Sequence, residues 1–243
     1  MAHLERHNLL FEYQFGFRPN RSTELAVTYF TDLIRKEADS GKATGEVFID
    51  LSKAFDTISH SVLLSKLSRY GVYDKDLQWF TDYLFHRKQI VQFHGVLSEP
   101  NPINTGVPQG SILGPLLFLT FFNNVHSPLR HCKIITYTDD TVIFTSSSDI
   151  DAIQSSLSQD LDTLSNWFRD NELIFNLKKG KSEVMLFGTG KWLNLFQGCQ
   201  VKLSVNDFPS TPLHVISTSA CIWTRHLILK LIFKKFTRRQ QEE

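Results

Sequence analysis

Apolar and polar positions along this chain follow several different rhythms. From Glu24 to Ala38, Leu25, Thr28, Tyr29, Asp32 and Leu33 recur at helical spacing, and Glu24 lies near the start, where negative charge suits the helix dipole. Gly45 interrupts the pattern, and Val47-Phe48-Ile49 then makes a short apolar run closed by Asp50, which predicts a buried strand. His60 to Arg69 and Asp74 to Phe85 predict two helices separated by Gly71. Alternation over Lys88 to Val96 predicts a strand with a turn near Gly95. Pro100, Pro102, Gly106, Pro108 and Gly110 then make a loop, and the apolar run Ile112 to Phe122 reads as a buried helix.

Farther on, Lys133 to Tyr137 and Thr141 to Thr145 are β-branched and aromatic runs around Thr138-Asp139-Asp140, which predicts a hairpin with two adjacent carboxylates at its tip. Asp149 to Trp167 has the amphipathic spacing of a capped helix, with Ile150, Ile153, Leu157, Leu161 and Leu164 on its apolar stripe. Leu173 to Leu177 and Glu183 to Phe187 flank a lysine-rich turn and predict a second hairpin. Strands and helices mix without strict alternation, so the expected class is α+β, an antiparallel sheet backed by helices.

Composition changes this picture little. The chain has 243 residues, 42% of them hydrophobic, enough for one large domain or two small ones. A formal charge of +1 gives no global sign of a nucleic-acid partner, although a groove needs only local positive charge. Cys132, Cys199 and Cys221 are scattered, which argues against a disulfide framework or a zinc site and for a reducing compartment. Met1 to Asn8 lacks the apolar run of a signal peptide, and Ile112 to Phe122 is too short to cross a bilayer, so no membrane association is expected.

The carboxylates carry the chemistry. Asn-Gly or Asp-Gly would serve a hairpin tip better than Asp139-Asp140, whose charges repel, so a cation is expected nearby and a divalent metal is the simplest one. Asp50, closing another apolar strand, could bring a third carboxylate to the same place. Hard oxygen ligands of this kind suit Mg²⁺. By itself the Asp-Asp pair is equally compatible with a plain surface turn.

The surrounding motifs extend the pattern. Gln14-Phe15-Gly16-Phe17-Arg18 with Arg21-Ser22-Thr23, Phe48 to Asp56, Gly106-Val107-Pro108-Gln109-Gly110-Ser111 with Leu113-Gly114-Pro115, Tyr137 to Asp140, and Asn176 to Lys181 occur in one order along the chain. Together they resemble the reverse transcriptases of non-LTR (LINE-type) retrotransposons, especially the Jockey and CR1-like group. The resemblance implies a right-hand polymerase palm with partial fingers, the thumb absent or replaced. It implies RNA-directed DNA polymerase activity with two Mg²⁺ ions, an RNA template, a DNA primer and deoxynucleoside triphosphates. An intracellular setting, cytoplasm and nucleus, goes with it.

Residue by residue, it implies that Asp50, Asp139 and Asp140 are the catalytic metal ligands and that Lys179 acts on the leaving pyrophosphate. Phe55 corresponds to the aromatic gate against a ribose 2′-hydroxyl, though a Phe before Asp56 is also what a core position would hold. Gln109 and Gly110 would lie against the nucleotide, and Gly106 with Gly110 would let the backbone approach it. Arg18 and Arg21 would hold template phosphates, a contact that positions without reading sequence.

Departures from the family are few within the motifs. Thr138 replaces a usual alanine and is strand-compatible, and Gly180 replaces a usual threonine. The expected division is residues 1–45 as partial fingers, 46–188 as palm with an inserted fingers segment, and 189–243 as a degenerate or frameshifted tail. Both ends are expected to be incomplete: no endonuclease precedes the fingers, and the Tyr-Leu-Gly primer-grip motif and helical thumb do not follow Pro212. A displaced reading frame between about Leu213 and Ala220 would explain the foreign tail. Two alternatives stand beside the polymerase. One is an inactive remnant that keeps the motifs. The other is a phosphotransferase with an aspartyl nucleophile, supported only by the clustered aspartates.

Overall fold

The structure is a computed structural model, and it describes residues 1–175, 182–189 and 216–219. The expectations placed on the lysine-rich turn, Lys179 included, and on most of the tail lie outside the described residues. In chain order the elements are α1 (Ala2–Arg6), α2 (Thr23–Asp39), β1 (Ala43–Ile49), α3 (His60–Arg69), α4 (Asp74–Leu84), β2 (Lys88–Gln89), β3 (Gln92–Phe93), β4 (Val96–Leu97), β5 (Asn101–Pro102), α5 (Gly114–Phe122), β6 (Lys133–Tyr137), β7 (Asp140–Ser147), α6 (Ile150–Asp170), β8 (Glu183–Gly188) and β9 (Ile216–Ser219). The chain divides into two compact units. One holds Met1–Phe11, Ser52–Asn124 and Phe168–Ile174; the other holds Glu12–Leu51, Val125–Trp167 and the described residues from Phe175 onward.

The second unit is built on a five-stranded sheet in the order β6-β7-β1-β8-β9. β6, β7, β1 and β8 are mutually antiparallel neighbours, and β9 joins β8 in parallel. Side chains alternate between the faces of a strand. Phe48, Val142, Phe144, Met185 and Phe187 therefore share one face, where they pack with Phe30 and Ile34 of α2. Phe30 meets Phe144 edge-on at 5.0 Å between ring centroids.

Two expectations shift here. α2 does not bury the stripe containing Leu25 and Thr28; its buried residues are Ala26, Val27, Phe30, Thr31 and Ile34, and Leu25 is 49% exposed. The sheet faces the stripe one position along, because phenylalanine and isoleucine remove more apolar area from water than the tyrosine and threonine beside them. Nor does Gly45 break a pattern. It lies inside β1, where Ile153 and Leu157 of α6 occupy the space a Cβ would need. The glycine admits the helix to the sheet.

The first unit is mostly helical. Its centre is α5, in which Leu117, Phe118, Leu119, Phe121 and Phe122 are all buried. Lys66 of α3 is buried beside it, donating from Nζ to the Phe121 carbonyl at 2.5 Å and to Asn124 Oδ1 at 2.9 Å. Burial, with the nearby Arg69 charge, lowers its pKa to about 7. The single strand expected over Lys88 to Val96 is instead two short pieces. β2 pairs with β5, and β3 with β4, and every residue of the four is exposed. An alternating pattern predicts a strand only where one face has a core to bury against, and this one has none.

Of the strand expected over Leu173 to Leu177, Leu173 to Phe175 are described. Leu173 N–H closes back on the Phe168 carbonyl, the Ile174 carbonyl accepts from Ser52 N–H, and only Phe175 bridges, to Leu51. β8 takes its place in the sheet beside β1, with Val47 opposite Val184.

Candidate active site

Register in the second unit decides where the carboxylates lie. β1 and β7 pair through Phe48 with Val142 and Ile49 with Thr141. One step further along the same register sets Asp50 opposite Asp140. Asp50 is two residues beyond Phe48 and Asp140 two before Val142, so strand alternation puts both on one face at one end of the sheet. Asp50 N–H donates to Ser182 Oγ at 3.3 Å, which ties the end of β1 to the start of β8.

The hairpin tip is not where the sequence predicts it. Tyr137 pairs with Asp140, so the two turn residues are Thr138 and Asp139, and Asp140 is the first residue of β7. Thr138 is not in strand conformation: its φ is +59°, a region β-branched residues rarely occupy. Asp139 is 7% exposed, and its carbonyl accepts from Thr141 Oγ1 at 3.0 Å.

A second strand-like segment reaches this turn. Thr136 N–H donates to the Tyr13 carbonyl and Phe15 N–H to the Thr136 carbonyl, so Tyr13 to Phe15 runs beside β6 in parallel. The buried Gln14 side chain meets Thr138 on both backbone groups. Its Nε2 donates to the Thr138 carbonyl at 2.9 Å, and its Oε1 accepts from Thr138 N–H at 2.9 Å. The same Oε1 accepts from Gly16 N–H at 2.7 Å. A side chain on Gly16 would collide with Thr138 N and Oγ1. Nothing in the period of the apolar positions points to Gln14; its signal in the sequence is its place at the head of the Gln14 to Arg18 motif.

The arginines of this segment sit close by. Arg21 lies over the Phe15 ring at 5.1 Å, and Arg18 reaches toward the Gln14 carbonyl at 3.5 Å. Both are half-exposed.

In the first unit the loop Gly106 to Gly110 is fastened to the segment following β1. Gly106 N–H donates to the Ile58 carbonyl and Val107 N–H to the Phe55 carbonyl. The buried His60 donates from Nε2 to the Gly106 carbonyl at 2.7 Å. Gly106 has φ +84°, and a Cβ there would come within 2.8 Å of the Asp56 carbonyl oxygen, so this position requires glycine. Gln109 is exposed and donates from Nε2 to Asp56 Oδ1 at 2.8 Å. Gly110, also exposed, has φ +74° with open space around it. Half-buried Phe55 stacks on Phe118 at 4.3 Å, which accounts for one face of its ring. The sequence singles out neither His60 nor Asp56, which hold this loop.

Oxygen donors are the right chemistry for Mg²⁺, which takes one or two protein carboxylates and leaves its other positions to water and phosphate. Asp50 and Asp140, one step beyond the Ile49–Thr141 pair, with Asp139 next in the chain, fit that demand. Among the described residues no three His, Cys, Asp or Glu side chains gather closely enough to hold an ion by themselves. No helix among them is long and apolar enough to cross a membrane.

Residues 1–214 match the family described as reverse transcriptase (RNA-dependent DNA polymerase). The chain is 33% identical over 172 residues to the probable RNA-directed DNA polymerase from transposon BS of Drosophila melanogaster, covering 65% of this chain and 18% of that protein. It is 31% identical over 178 residues to the RNA-directed DNA polymerase from mobile element jockey of the same fly, covering 69% of this chain and 19% of that one. The chain thus spans about a fifth of the length of these relatives. In fold it is similar to an apo telomerase from Candida tropicalis truncated from its C-terminal domain, with TM-score 0.55 at 15% identity over 76% of this chain and 39% of that one. A Candida tropicalis telomerase in complex with a fragment of telomeric RNA gives TM-score 0.57 at 13% identity, over 84% of this chain and 34% of that one.

Proposed function

Because the chain belongs to the reverse transcriptase (RNA-dependent DNA polymerase) family, we propose that it carries the palm of a non-LTR retrotransposon polymerase and extends a DNA primer along an RNA template. The observation that supports this most is the pairing of Ile49 with Thr141, which brings the next residue of each strand, Asp50 and Asp140, to the same end of the sheet, with the buried Asp139 next in the chain. In this reading Asp50, Asp139 and Asp140 hold two Mg²⁺ ions. Bound there, the ions supply an activated primer 3′-hydroxyl and a stabilised leaving pyrophosphate.

The protein's own part is placement. The Gly106 to Gly110 loop, fixed by Ile58, Phe55 and His60, offers backbone and the Gln109 amide to the incoming deoxynucleotide. Phe55 presents a ring braced from behind by Phe118, which gives it the stiffness a gate against a 2′-hydroxyl needs. Arg18 and Arg21 offer positive charge to template phosphates, and Lys179 is assigned to the leaving pyrophosphate. Copying of this kind is carried out in the cytoplasm and nucleus.

A primed homopolymer RNA template, Mg²⁺ and one labelled deoxynucleotide test the proposal. The wild-type chain extends the primer and Asp139→Asn does not. Equal incorporation by the two proteins sinks it.

A further inference from the structure

We infer that Gln14 is the positioning residue for the Asp139 and Asp140 carboxylates, an assignment that rests on the polymerase reading above. The turn they occupy closes β6 onto β7 through Thr138 and Asp139, and Thr138 sits at φ +59°, against the preference of a β-branched residue. Conformations of this sort persist only where surrounding structure over-determines them. Here the closest hold on the turn backbone is a side chain distant in sequence. Gln14 is 4% exposed, and its amide takes both the N–H and the carbonyl of Thr138, each at 2.9 Å.

Peptide units are planar, so holding the N–H and C=O of one residue fixes the two planes that flank it. The second plane belongs equally to Asp139 and fixes the N–Cα axis about which that residue turns, which narrows the directions its Cα–Cβ bond can take. Gln14 thereby aims Asp139 without touching a metal or a substrate. Its own place is secured independently, by the Phe15 to Thr136 and Thr136 to Tyr13 backbone hydrogen bonds. Gly16, whose N–H shares the Gln14 oxygen, leaves room for the approach that any larger residue would block. Glutamine is specifically needed, because the contact demands one donor and one acceptor on a planar group.

Two variants separate aiming from folding. Gln14→Ala removes the clamp. Gln14→Glu keeps its shape and the accepting oxygen, but sets a second oxygen against the Thr138 carbonyl. Mn²⁺ binding to the full chain, measured by calorimetry without nucleic acid or turnover, is the first readout, with the melting temperature taken on the same samples. The Mg²⁺ concentration for half-maximal primer extension is the second. Both variants are expected to melt at a lower temperature but to remain folded at the assay temperature, and there to bind Mn²⁺ about tenfold more weakly and to need correspondingly more Mg²⁺, with the deoxynucleotide KM little changed. Unchanged Mn²⁺ affinity in both overturns the inference, as does weaker binding that appears only with loss of fold in both. Asp139→Asn separates the two levels. If it binds Mn²⁺ as wild type does, the metal reading itself fails. If it binds weakly while the Gln14 variants bind normally, only the role of Gln14 falls.

Discussion

The β3–β4 hairpin turns at His94-Gly95, where both residues have positive φ, +47° and +82°. That is the backbone of a two-residue turn matched to strand twist, and glycine in second place is its common solution. The β6–β7 hairpin turns at Thr138-Asp139, with a β-branched residue at φ +59° and no glycine. The first hairpin is exposed throughout, and its turn chemistry is local. The second is buried, and its turn is held by Gln14, 124 residues earlier in the chain. A turn that ignores its own preferences and borrows a distant clamp marks a place where the side chain matters more than ease of folding.

The largest effect that tests this contrast is on activity. Asp139→Asn keeps the size of the side chain and removes the charge, and primer extension is expected to fall ~10³-fold, several kcal/mol of transition-state stabilisation. His94→Asn in the other hairpin is expected to leave the extension rate unchanged. Comparable losses from the two substitutions would mean that the buried turn has no special role.

The next effect is on stability, at the opposite end of the buried hairpin. The Asp160 carboxylate, on α6 and 1% exposed, accepts from the N–H groups of Arg130, His131 and Cys132 just before β6 begins. Asp160→Ala leaves these partly buried donors without their carboxylate, and a loss of about 3 kcal/mol is expected in urea unfolding. A loss under about 1 kcal/mol would show that water takes over the carboxylate's role and that this end of the hairpin is not anchored there.

These cases show what the sequence could and could not disclose. α3 and β6 run over the predicted residues, because a short amphipathic helix and an apolar strand are local patterns. The order of the motifs made the family legible. Thr138 was misjudged as strand-like because a residue type constrains φ only statistically, and a clamp from Gln14 overrides it. The α2 stripe was displaced by one position because a helix with apolar residues on neighbouring stripes leaves the choice to the sheet it meets. Asp160 and His60 were missed because each answers backbone groups far away in sequence, and hydrogen bonds of that kind leave no periodicity.

A third, smaller effect contrasts Asp160 with another buried charged residue, Lys66. Where Asp160 is matched by N–H groups, Lys66 donates to the Phe121 carbonyl and to Asn124 Oδ1, neither of them charged, and burial lowers its pKa from an ordinary 10.5 to about 7. Between these values the unfolded chain binds a proton that the folded chain does not, so stability rises with pH across that window. Below about pH 7 both states are protonated, and the full cost of the buried charge is present. Lys66→Met is expected to abolish this part of the rise. Parallel pH profiles for the two proteins would show that Lys66 stays charged at all pH values in the window.

The smallest effect comes from exchanging the two turns' residues, Thr138→Gly against Gly95→Ala. Alanine at Gly95 pays the left-handed penalty of about 1–2 kcal/mol. However, β3 and β4 share only two residue pairs, all exposed, so the hairpin can open locally and limit the loss. The unfolding free energy from urea titration is therefore expected to change by less than about 0.5 kcal/mol. Glycine at Thr138 removes a penalty of the same kind, about 1–2 kcal/mol. It also frees more unfolded conformations, about 0.5–1 kcal/mol, and gives up a buried side chain. These nearly cancel, so Thr138→Gly is expected to stay within about 1 kcal/mol of wild type. A much larger loss at Thr138 would mean that Gln14 and Gly16 hold this turn through the threonine side chain. A small loss leaves the backbone as what is held, and a glycine there should then bind Mn²⁺ about as well as the wild type does.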